Sequence, residues 1–388
     1  MGALFSRARQ LEPRLKLALR LALAVIGVLC TLGLAEVTLR VVARRQPRHT
    51  ARPPFAQICP PCSYLFELNP AREGISKQAL RDREFTPEPP PGVFRIMVLG
   101  DSLPFGYSVS TEATFPKVLE RELGQRGYKV EIMNTGVPGY STYNELAFYL
   151  DRGRAFHPNL VLLSFCMNDV VDPTIHWSQL VDDVRKLSQF VPKEAIPNLE
   201  YHRTHSVPLA EKMYRERYGT PYRLLHQLEL YKLYDVAFPS IPATSVTAGG
   251  KRYPAYLVHD DPLSMEVLTD YESTEWKWLR GLFDQLAAAV RADHATFAML
   301  TNPLAYQLDP AYPLHPEEQF LRYCRERGIP CADALPALRA RAEGELYLGK
   351  ARGGVHDVWH YNSHGHAAVG KALADFLEKE KLLPAKTP

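Results

Sequence analysis

A serine follows the first strongly apolar segment of the globular sequence, at a position where a nucleophile would be exposed. The run 94–99 has the pattern of a buried strand, and Gly100-Asp101-Ser102 comes directly after it. Open α/β sheets keep their reactive groups at the carboxyl ends of such strands. Asp101 and Ser102 taken alone also fit a simple turn or helix cap, because both residue types are favoured there.

A base for the Ser102 hydroxyl stands in the segment 356–366. Asp357 and His360 are three residues apart, so the carboxylate can hold one imidazole nitrogen while the other nitrogen faces a serine. Such a pair fixes the tautomer of the ring and stabilises the imidazolium that forms when the serine loses its proton. We expect the pair on a tight loop ahead of an amphipathic helix over 367–377.

Two further loops offer donors for an oxyanion, and each ends a predicted strand. Gly139 lies in the loop 134–142, after the apolar run 130–133, and Asn168 follows the apolar run 160–165. The sequence therefore holds a hydroxyl, a base with its orienting acid, and hydrogen-bond donors, which together predict acyl-transfer chemistry.

A metal site is the alternative interpretation of the histidines. His356, His360 and His364 are four residues apart and would line one face of a helix. Asn362, Ser363 and Gly365 interrupt helical propensity there, and no His-Glu-x-x-His pattern occurs. We therefore predict no metal.

The ordered segments resemble the SGNH or GDSL hydrolases over roughly residues 65–388. The resemblance implies that Ser102 is the nucleophile and that Asp357 and His360 complete a catalytic triad, with no cofactor. It also implies three oxyanion donors, which are the backbone amides of Ser102 and Gly139 and the side-chain amide of Asn168.

Two features depart from the family pattern. Cys166 stands where the third motif usually has glycine, so its side chain is expected to narrow the pocket or shift the loop that carries Asn168. Trp359 and Tyr361 flank the base, where they would line an acyl or sugar subsite or pack beneath the loop. Packing is favoured, since buried aromatic rings are ordinary core material.

The N-terminus carries an uncharged apolar stretch over 21–35, flanked by arginines on both sides. The stretch 17–39 reaches the length of a membrane span if Arg20 extends toward the interface and Glu36 pairs with Arg40. We predict an uncleaved single-pass anchor in a bacterial inner membrane. A signal peptide cleaved before Glu36 is the alternative.

The positive-inside rule does not orient the anchor, because five positive charges stand on each side. The family resemblance favours a short cytoplasmic tail, with the enzyme in the periplasm or outside the cell. Two cysteine pairs are compatible with this location, Cys59 with Cys62 and Cys324 with Cys331, since both can form disulfides in an oxidising compartment, but the sequence establishes neither pairing. Spacing alone leaves a redox or metal role open for Cys59 and Cys62.

The 388 residues are 46% hydrophobic and carry a formal net charge of only +3. A core is therefore expected, whereas nucleic-acid binding is not, because the excess charge lies in the N-terminal arginines. The fold class predicted is α/β, a three-layer doubly wound parallel sheet with a helical insertion and the N-terminal anchor helix. Strands are expected at 95–99, 129–133, 160–165, 295–301 and 329–332, and helices at 115–124, 143–155, 275–291, 317–327 and 367–379.

The domain organisation predicted is a tail and anchor at 1–45, a proline-rich linker and lead-in at 46–92, and the hydrolase domain at 93–388. An insertion at 172–274 follows the strand that leads to Asn168, so it should emerge at the active-site edge and shape substrate access. It is rich in tyrosine and holds two helical runs, at 180–190 and 208–238. Those tyrosines would stack on sugar rings or pack the two helices onto the body.

Three functions remain at this stage. The leading one is an esterase or carbohydrate deacylase, with an ester or acylated carbohydrate as substrate. An O-acyltransferase that modifies an envelope polysaccharide would use the same triad, and a non-catalytic glycan-binding or assembly factor would have no need of it. Oligomeric state is not predicted by the sequence.

Overall fold

The computed structural model describes residues 2–45, 56–59, 62–64, 66–107, 109–170, 228, 230, 245–254, 269–341, 346–350 and 356–386. The chain divides into two compact units, residues 1–51 with 218–240 and residues 52–217 with 241–388. The helices are α1 (Gly2–Arg45), α2 (Ser102–Phe105), α3 (Phe115–Gln125), α4 (Thr142–Asp151), α5 (Thr274–Ala292), α6 (Glu317–Arg327), α7 (Leu335–Arg339) and α8 (Ser363–Lys379). The strands are β1 (Ala56–Ile58), β2 (Phe66–Leu68), β3 (Phe94–Gly100), β4 (Val130–Asn134), β5 (Leu160–Cys166), β6 (Ser245–Ala248), β7 (Lys251–Pro254), β8 (Thr296–Asn302), β9 (Cys331–Asp333), β10 (Tyr347–Lys350) and β11 (His356–Tyr361).

The first unit contains α1, which carries an apolar stretch long enough to cross a membrane. This stretch, the 22 residues Arg20–Val41, has a mean hydropathy of 2.1, and no residue of its most apolar part is buried. The predicted pairing of Glu36 with Arg40 is confirmed, at 2.7 Å. Thr31 and Thr38 donate their hydroxyls to carbonyls one turn earlier in the helix, so these polar groups are satisfied internally, as an apolar surrounding requires.

The second unit is built on a five-stranded parallel sheet in the order β4-β3-β5-β8-β9. Counted along the chain, these strands lie in the order 2-1-3-4-5, the flavodoxin-like doubly wound arrangement. The order reverses between β3 and β5, and ligands of such sheets bind at that switch point, beyond the carboxyl ends of the strands. Ser102 follows β3 and Asn168 follows β5.

Both faces of the sheet are covered, and the pattern in β3 shows why. Ile96 and Val98 face one apolar cluster with residues of α3, α7 and α8, while Met97 and Leu99 face a second cluster with residues of α4, α5 and α6. A strand buried on both sides reads as a continuous apolar run, which is why the sequence predicts it well. The predicted fold class is confirmed.

The five predicted sheet strands are confirmed, and two helix boundaries shift for local reasons. Helix α4 ends at Asp151, because residues 153–156 tighten into a 3₁₀ turn. Helix α8 begins at Ser363 and not at 367, because the Asn362 side chain accepts the N–H groups of His364 (2.9 Å) and Gly365 (3.1 Å). Of the three residues predicted to interrupt a helix, Asn362 is the N-cap, Ser363 is the first residue of α8, and Gly365 lies inside its first turn.

Three antiparallel strand pairs were not predicted: β1 with β2, β10 with β11, and β6 with β7. Strand β11 pairs antiparallel with β10, so Asp357 and His360 lie on a strand and not on the expected tight loop. Within the span assigned to the insertion, β6 and β7 form a hairpin whose turn, Gly249 and Gly250, has positive φ at both positions. The two helical runs and the tyrosine cluster predicted for the insertion lie outside the described residues, apart from the backbone of Tyr253 on β7.

The segment that precedes β3, predicted as a linker and lead-in, packs into the core where it is described. Leu68, Leu80 and Phe85 are buried in the cluster that also holds Met97. Arg95, fully buried on β3, pairs with Glu131 at 2.7 Å and donates to carbonyls of this lead-in, those of Thr86 and Pro87, at 2.8 Å. A buried guanidinium needs such partners, and here they tie the lead-in to the sheet.

Both candidate cysteine pairs, whose pairing the sequence leaves open, form disulfides in the structure. Cys59 bonds to Cys62 in the lead-in, with Cα atoms 5.3 Å apart. Cys324 on α6 bonds to Cys331 on β9, with Cα atoms 6.2 Å apart. The remaining thiols are Cys30, exposed on α1, and Cys166, buried at the end of β5.

Candidate active site

Ser102 is presented by a sharp turn from β3 into the short helix α2. Asp101 caps this helix, since its Oδ1 accepts the Leu103 N–H at 2.8 Å. Only glycine fits at position 100, because a Cβ there would lie 2.5 Å from the Pro104 ring. The helix ends after one turn at Gly106, which takes the left-handed conformation with φ +78°. Ser102 is therefore partly exposed at the carboxyl edge of the sheet, between the buried residues Asp101 and Leu103.

His360 joins Ser102 to Asp357 in one line of hydrogen bonds. His360 Nε2 lies 2.7 Å from Ser102 Oγ, and His360 Nδ1 lies 2.7 Å from Asp357 Oδ2. The contact bridges 258 positions of sequence between Ser102 and His360. The structure thus brings together three of the five residues predicted for the site.

The Asp357 carboxylate is held by its own backbone as well as by the imidazole. Its Oδ1 accepts the N–H groups of Trp359 (3.1 Å) and His360 (2.9 Å). Partial burial opposes ionisation, but the hydrogen bonds and the His360 ring outweigh it and hold the pKa of Asp357 below its usual range. The group that orients the imidazole is therefore an anion at neutral pH.

The second loop is locked to the turn that carries Ser102, residues 100–106, which is the turn of the proposed nucleophile. The Asn134 side chain donates to the Pro104 carbonyl at 2.6 Å and accepts the Gly136 N–H at 3.1 Å. Val137 donates its N–H to the Gly100 carbonyl at 3.1 Å. The chain then turns at Pro138, and Gly139 takes φ +84°, the conformation that a type II turn requires at that position. Gly139 therefore lies on a rigid turn at the carboxyl end of β4.

The third loop is a 3₁₀ turn, Met167–Val170, directly after β5. It places the backbone of Asn168 at the carboxyl end of the strand beside β3, while the Asn168 side chain lies outside the described residues. Cys166 is buried in the apolar cluster that contains Tyr347 and Tyr361, so its side chain fills core space.

Asp169 is a fully buried carboxyl group on the same turn. Its Oδ2 accepts the Thr142 hydroxyl at 3.0 Å, and its Oδ1 has no hydrogen-bond partner among the described residues. Burial, with a smaller effect from the negative charge of Asp101, raises the pKa of Asp169 well above its usual range. Burial therefore favours the neutral form of the carboxyl group beside Asn168.

The aromatic residues around His360 have different environments. Tyr361 is fully buried and donates its hydroxyl to Asn302 at 3.2 Å, and Trp359 is partly buried against both apolar clusters. The prediction that these two residues pack is confirmed. Tyr107 was not predicted: it is 48% exposed, and its ring centroid lies 5.0 Å from that of His360. Its position one residue after Gly106, at the end of the nucleophile helix, is the signal that could have identified it.

A lead-in arginine that the sequence reasoning missed braces the nucleophile turn. Arg81 donates to the carbonyls of Phe105 at 2.8 Å, Gly106 at 2.5 Å and Val109. These carbonyls lie at the C-terminal end of α2 and in the turn after it, where a helix leaves its acceptors unsatisfied. Arg81 stands in a run of alternating charges that resembles an ordinary solvated surface, so no sequence signal marked it.

The metal alternative finds no support in the described part of the chain. No group of three or more His, Cys, Asp or Glu side chains is placed there to hold a metal ion. His360 is on β11 and His364 is on α8, so they do not share the helical face that the alternative requires. The His356 side chain lies outside the described residues.

Residues 98–368 match the GDSL-like Lipase/Acylhydrolase family. The chain belongs to this family of ester-cleaving hydrolases, as its motifs predicted. A curated arylesterase from Vibrio mimicus is 35% identical over 75 residues, which span 19% of this chain and 38% of that enzyme. The chain thus matches well under half the length of this relative.

Solved structures of distant relatives cover most of the chain. A lipase/acylhydrolase from Enterococcus faecalis is 10% identical, with coverage of 76% of this chain and 100% of that one and a TM-score of 0.38. The psychrotrophic esterase EstA from Pseudoalteromonas sp. is 12% identical, with coverage of 74% and 98% and a TM-score of 0.37.

Proposed function

We propose that this protein is a membrane-anchored serine esterase that cleaves carboxylic esters through an acyl intermediate on Ser102. The observation that carries the proposal is the line of two 2.7 Å contacts from Ser102 through His360 to Asp357. The substrate class is an ester or an acylated carbohydrate, and no cofactor takes part.

In the first half of the reaction, His360 Nε2 takes the hydroxyl proton as Ser102 Oγ bonds to the carbonyl carbon of the ester. The carbonyl electron pair moves onto the oxygen, where the amides of Ser102 and Gly139 and the side chain of Asn168 are the proposed donors. The intermediate collapses as the alcohol leaves with the proton from Nε2, and Asp357 stabilises the transient imidazolium.

Water completes the cycle. It attacks the acyl carbon while His360 again accepts a proton, and the Ser102 Oγ leaves with that proton as the carboxylic acid is released. Transfer to a sugar hydroxyl would replace water by that hydroxyl and use the same residues, so product analysis separates the two reactions.

Two features support an anchored enzyme outside the cytoplasm. Helix α1 has the length and apolar character of a membrane span. The disulfides Cys59–Cys62 and Cys324–Cys331 are typical of oxidising compartments. We place the anchor at 1–45, the lead-in at 46–92 and the catalytic domain at 93–388, with the insertion at 172–274. The anchor spans a bacterial inner membrane, and the catalytic domain lies on its periplasmic or outer side.

Labelling by a fluorophosphonate probe tests the catalytic part of the proposal. Full-length protein in detergent is expected to be labelled, whereas Ser102→Ala should lose the label and at least about a thousandfold of its ester cleavage. Ser110→Ala is the matched control, because Ser110 is an exposed serine nearby whose hydroxyl makes no cap hydrogen bond. Unlabelled wild-type protein would indicate a non-catalytic factor, and acylated glycan in excess of free acid would indicate a transferase.

Membrane extraction and a reporter test the anchor. The full chain should stay in the membrane through alkaline carbonate washing and keep its N-terminus. A reporter joined after Pro388 should be active outside the cytoplasm. Release of a shortened protein would indicate a cleaved signal peptide, and a reporter active only in the cytoplasm would overturn the orientation.

A further inference from the structure

Tyr107 presents an aromatic ring to solvent beside the proposed base. The side chain is 48% exposed, and its ring is tilted 35° to that of His360 with centroids 5.0 Å apart. Its backbone is tied to the nucleophile, because the Tyr107 N–H donates to the Ser102 carbonyl at 3.3 Å. The ring therefore has a defined position relative to both reacting side chains.

The chemistry of the first step determines which part of the substrate lies near this ring. His360 Nε2 must reach the alcohol oxygen to return the proton, so the alcohol portion of the ester lies beside the imidazole. The acyl portion instead stays on Ser102 after the alcohol has left. An exposed side chain that contacts His360 is thus placed on the alcohol side of the scissile bond.

We propose that Tyr107 forms the subsite for the alcohol portion of the ester and favours alcohols that present a flat ring face. This inference rests on the proposed function of Ser102 and His360. A tyrosine ring offers a rigid apolar face that stacks on another flat face and a hydroxyl that stays in water. Phenyl rings and the C–H face of a pyranose share that shape, so both aryl esters and acylated sugars fit the subsite.

A purely supporting role for Tyr107 predicts a different pattern. If the ring only orients His360, its removal slows acylation and deacylation alike for every ester, because both steps use the same base. If the ring binds the alcohol, its removal slows only the formation of the acyl-enzyme from ring-bearing esters. Hydrolysis of the acyl-enzyme is unaffected, because the alcohol has already left.

The experiment uses three acetate esters, which all give the same acetyl-Ser102. They are phenyl acetate, an acetylated methyl pyranoside and trifluoroethyl acetate, whose alcohol is activated but has no ring. Full-length wild type, Tyr107→Ala and Tyr107→Phe are compared in kcat/KM, and the deacylation rate is measured after a burst. Trp278→Ala is the matched control, because Trp278 is another exposed aromatic, on α5.

We expect Tyr107→Ala to lower kcat/KM about fivefold to tenfold for ring-bearing esters and to leave trifluoroethyl acetate and the deacylation rate within about twofold. Tyr107→Phe should keep kcat/KM for ring-bearing esters near the wild-type value, since phenylalanine retains the ring face that stacks on the alcohol. A loss confined to phenyl acetate assigns the subsite to aryl alcohols, and one confined to the pyranoside assigns it to sugars. Equal losses for all three esters, or no loss for any, overturn the inference. Wild-type protein that neither labels nor cleaves any ester refutes the proposed function itself.

Discussion

At the scale of single residues, the candidate site depends on the Asp357 carboxylate, which backbone N–H groups fix in place in addition to its contact with His360. Asp357 accepts the backbone N–H groups of Trp359 and His360, where the pairing of β11 with β10 shifts register and the strand bends. Residues three apart on a regular strand point to opposite faces, so this bend is what brings the Asp357 carboxylate to the His360 ring. The imidazole is thereby oriented independently of any substrate.

Asp169 gives the first prediction at this scale. Because burial favours the neutral form of its carboxyl group, Asp169→Asn should retain kcat/KM within about threefold, since an amide keeps the shape of the neutral carboxyl group. Asp169→Leu removes the acceptor for the buried Thr142 hydroxyl and should destabilise the fold by about 1–3 kcal/mol. Steady-state kinetics and thermal unfolding of both variants check this. An Asn variant as inactive as Ser102→Ala would show that the ionised carboxylate is needed.

At the scale of elements, the site forms where three loops meet at one edge of the sheet. The loops follow β3, β4 and β5, and β3 lies between the other two strands. The loop after β4 fits the nucleophile turn closely: a Cβ on Gly136 would lie 2.4 Å from the Phe105 nitrogen and 2.9 Å from the Asp101 carbonyl oxygen. Backbone atoms at such distances cannot rotate away, so the spacing of the loops depends on this glycine.

Gly136→Ala should therefore displace Ser102 from His360. We expect kcat to fall by about a hundredfold, because displacements near 1 Å cost that much in positioned catalysis. Gly124→Ala is the matched control, since a Cβ there meets nothing within 4 Å and alanine favours its helix. Fluorophosphonate labelling rates and circular dichroism should show a folded but slow Gly136 variant. Equal labelling of the two variants would contradict the expectation.

Arg81 supplies a second prediction for the elements. Arg81→Met keeps the length of the side chain but removes the donors to three carbonyls around the end of α2, so kcat should fall about tenfold while KM changes little. Arg81→Lys should recover only part of the loss, because an ammonium group cannot reproduce the planar fork of a guanidinium. Arg83→Met is the control, since Arg83 pairs with Glu120 away from the turn. A loss of stability with kcat unchanged would show that Arg81 stabilises the fold and does not position the turn that carries Ser102.

At the scale of the whole molecule, a buried histidine joins the two ends of the hydrolase domain. His366 on α8 accepts the Phe115 N–H of α3 at 3.2 Å, across 251 positions of sequence. Burial, with smaller effects from His360 and Arg81, lowers the pKa of His366 to about 3 from the usual 6.5. His366 therefore has a structural role near the start of α8.

This histidine makes stability dependent on pH. Between about pH 6.5 and pH 3 the unfolded chain binds a proton there that the folded chain does not, so stability falls as pH falls. The contribution is at most about 1.4 kcal/mol per pH unit. His366→Gln should be less stable at pH 7 but lose less stability on acidification than wild type in urea unfolding. His364→Gln, an exposed change in the same helix, should follow wild type, and identical pH slopes in all three proteins would contradict the assignment.

Prediction from sequence succeeded where short-range pattern carries the information. The strands buried on both faces are continuous apolar runs, and the residues after β3, β4 and β5 are distinctive types at the positions where such sheets keep their sites. It failed for β10 and β11, because a separate two-stranded ribbon has a short pattern that loop residues also satisfy. The packing of the lead-in was also not evident from the sequence, because its charged residues find partners only after the chain has folded over them.

The sequence by itself determined the family and the order along the chain of the sheet strands and the polar residues that follow them. It also identified Ser102, Asp357 and His360 as candidates. Residue type and local spacing suffice for those. Only the tertiary structure decided that Ser102 and His360 meet at 2.7 Å, that Arg81 holds the nucleophile turn, and that Tyr107 lies against the base. Those contacts join segments far apart in the sequence, or depend on the direction in which a turn points its side chains. The packing of the sheet against its helices sets both the distance between the segments and that direction.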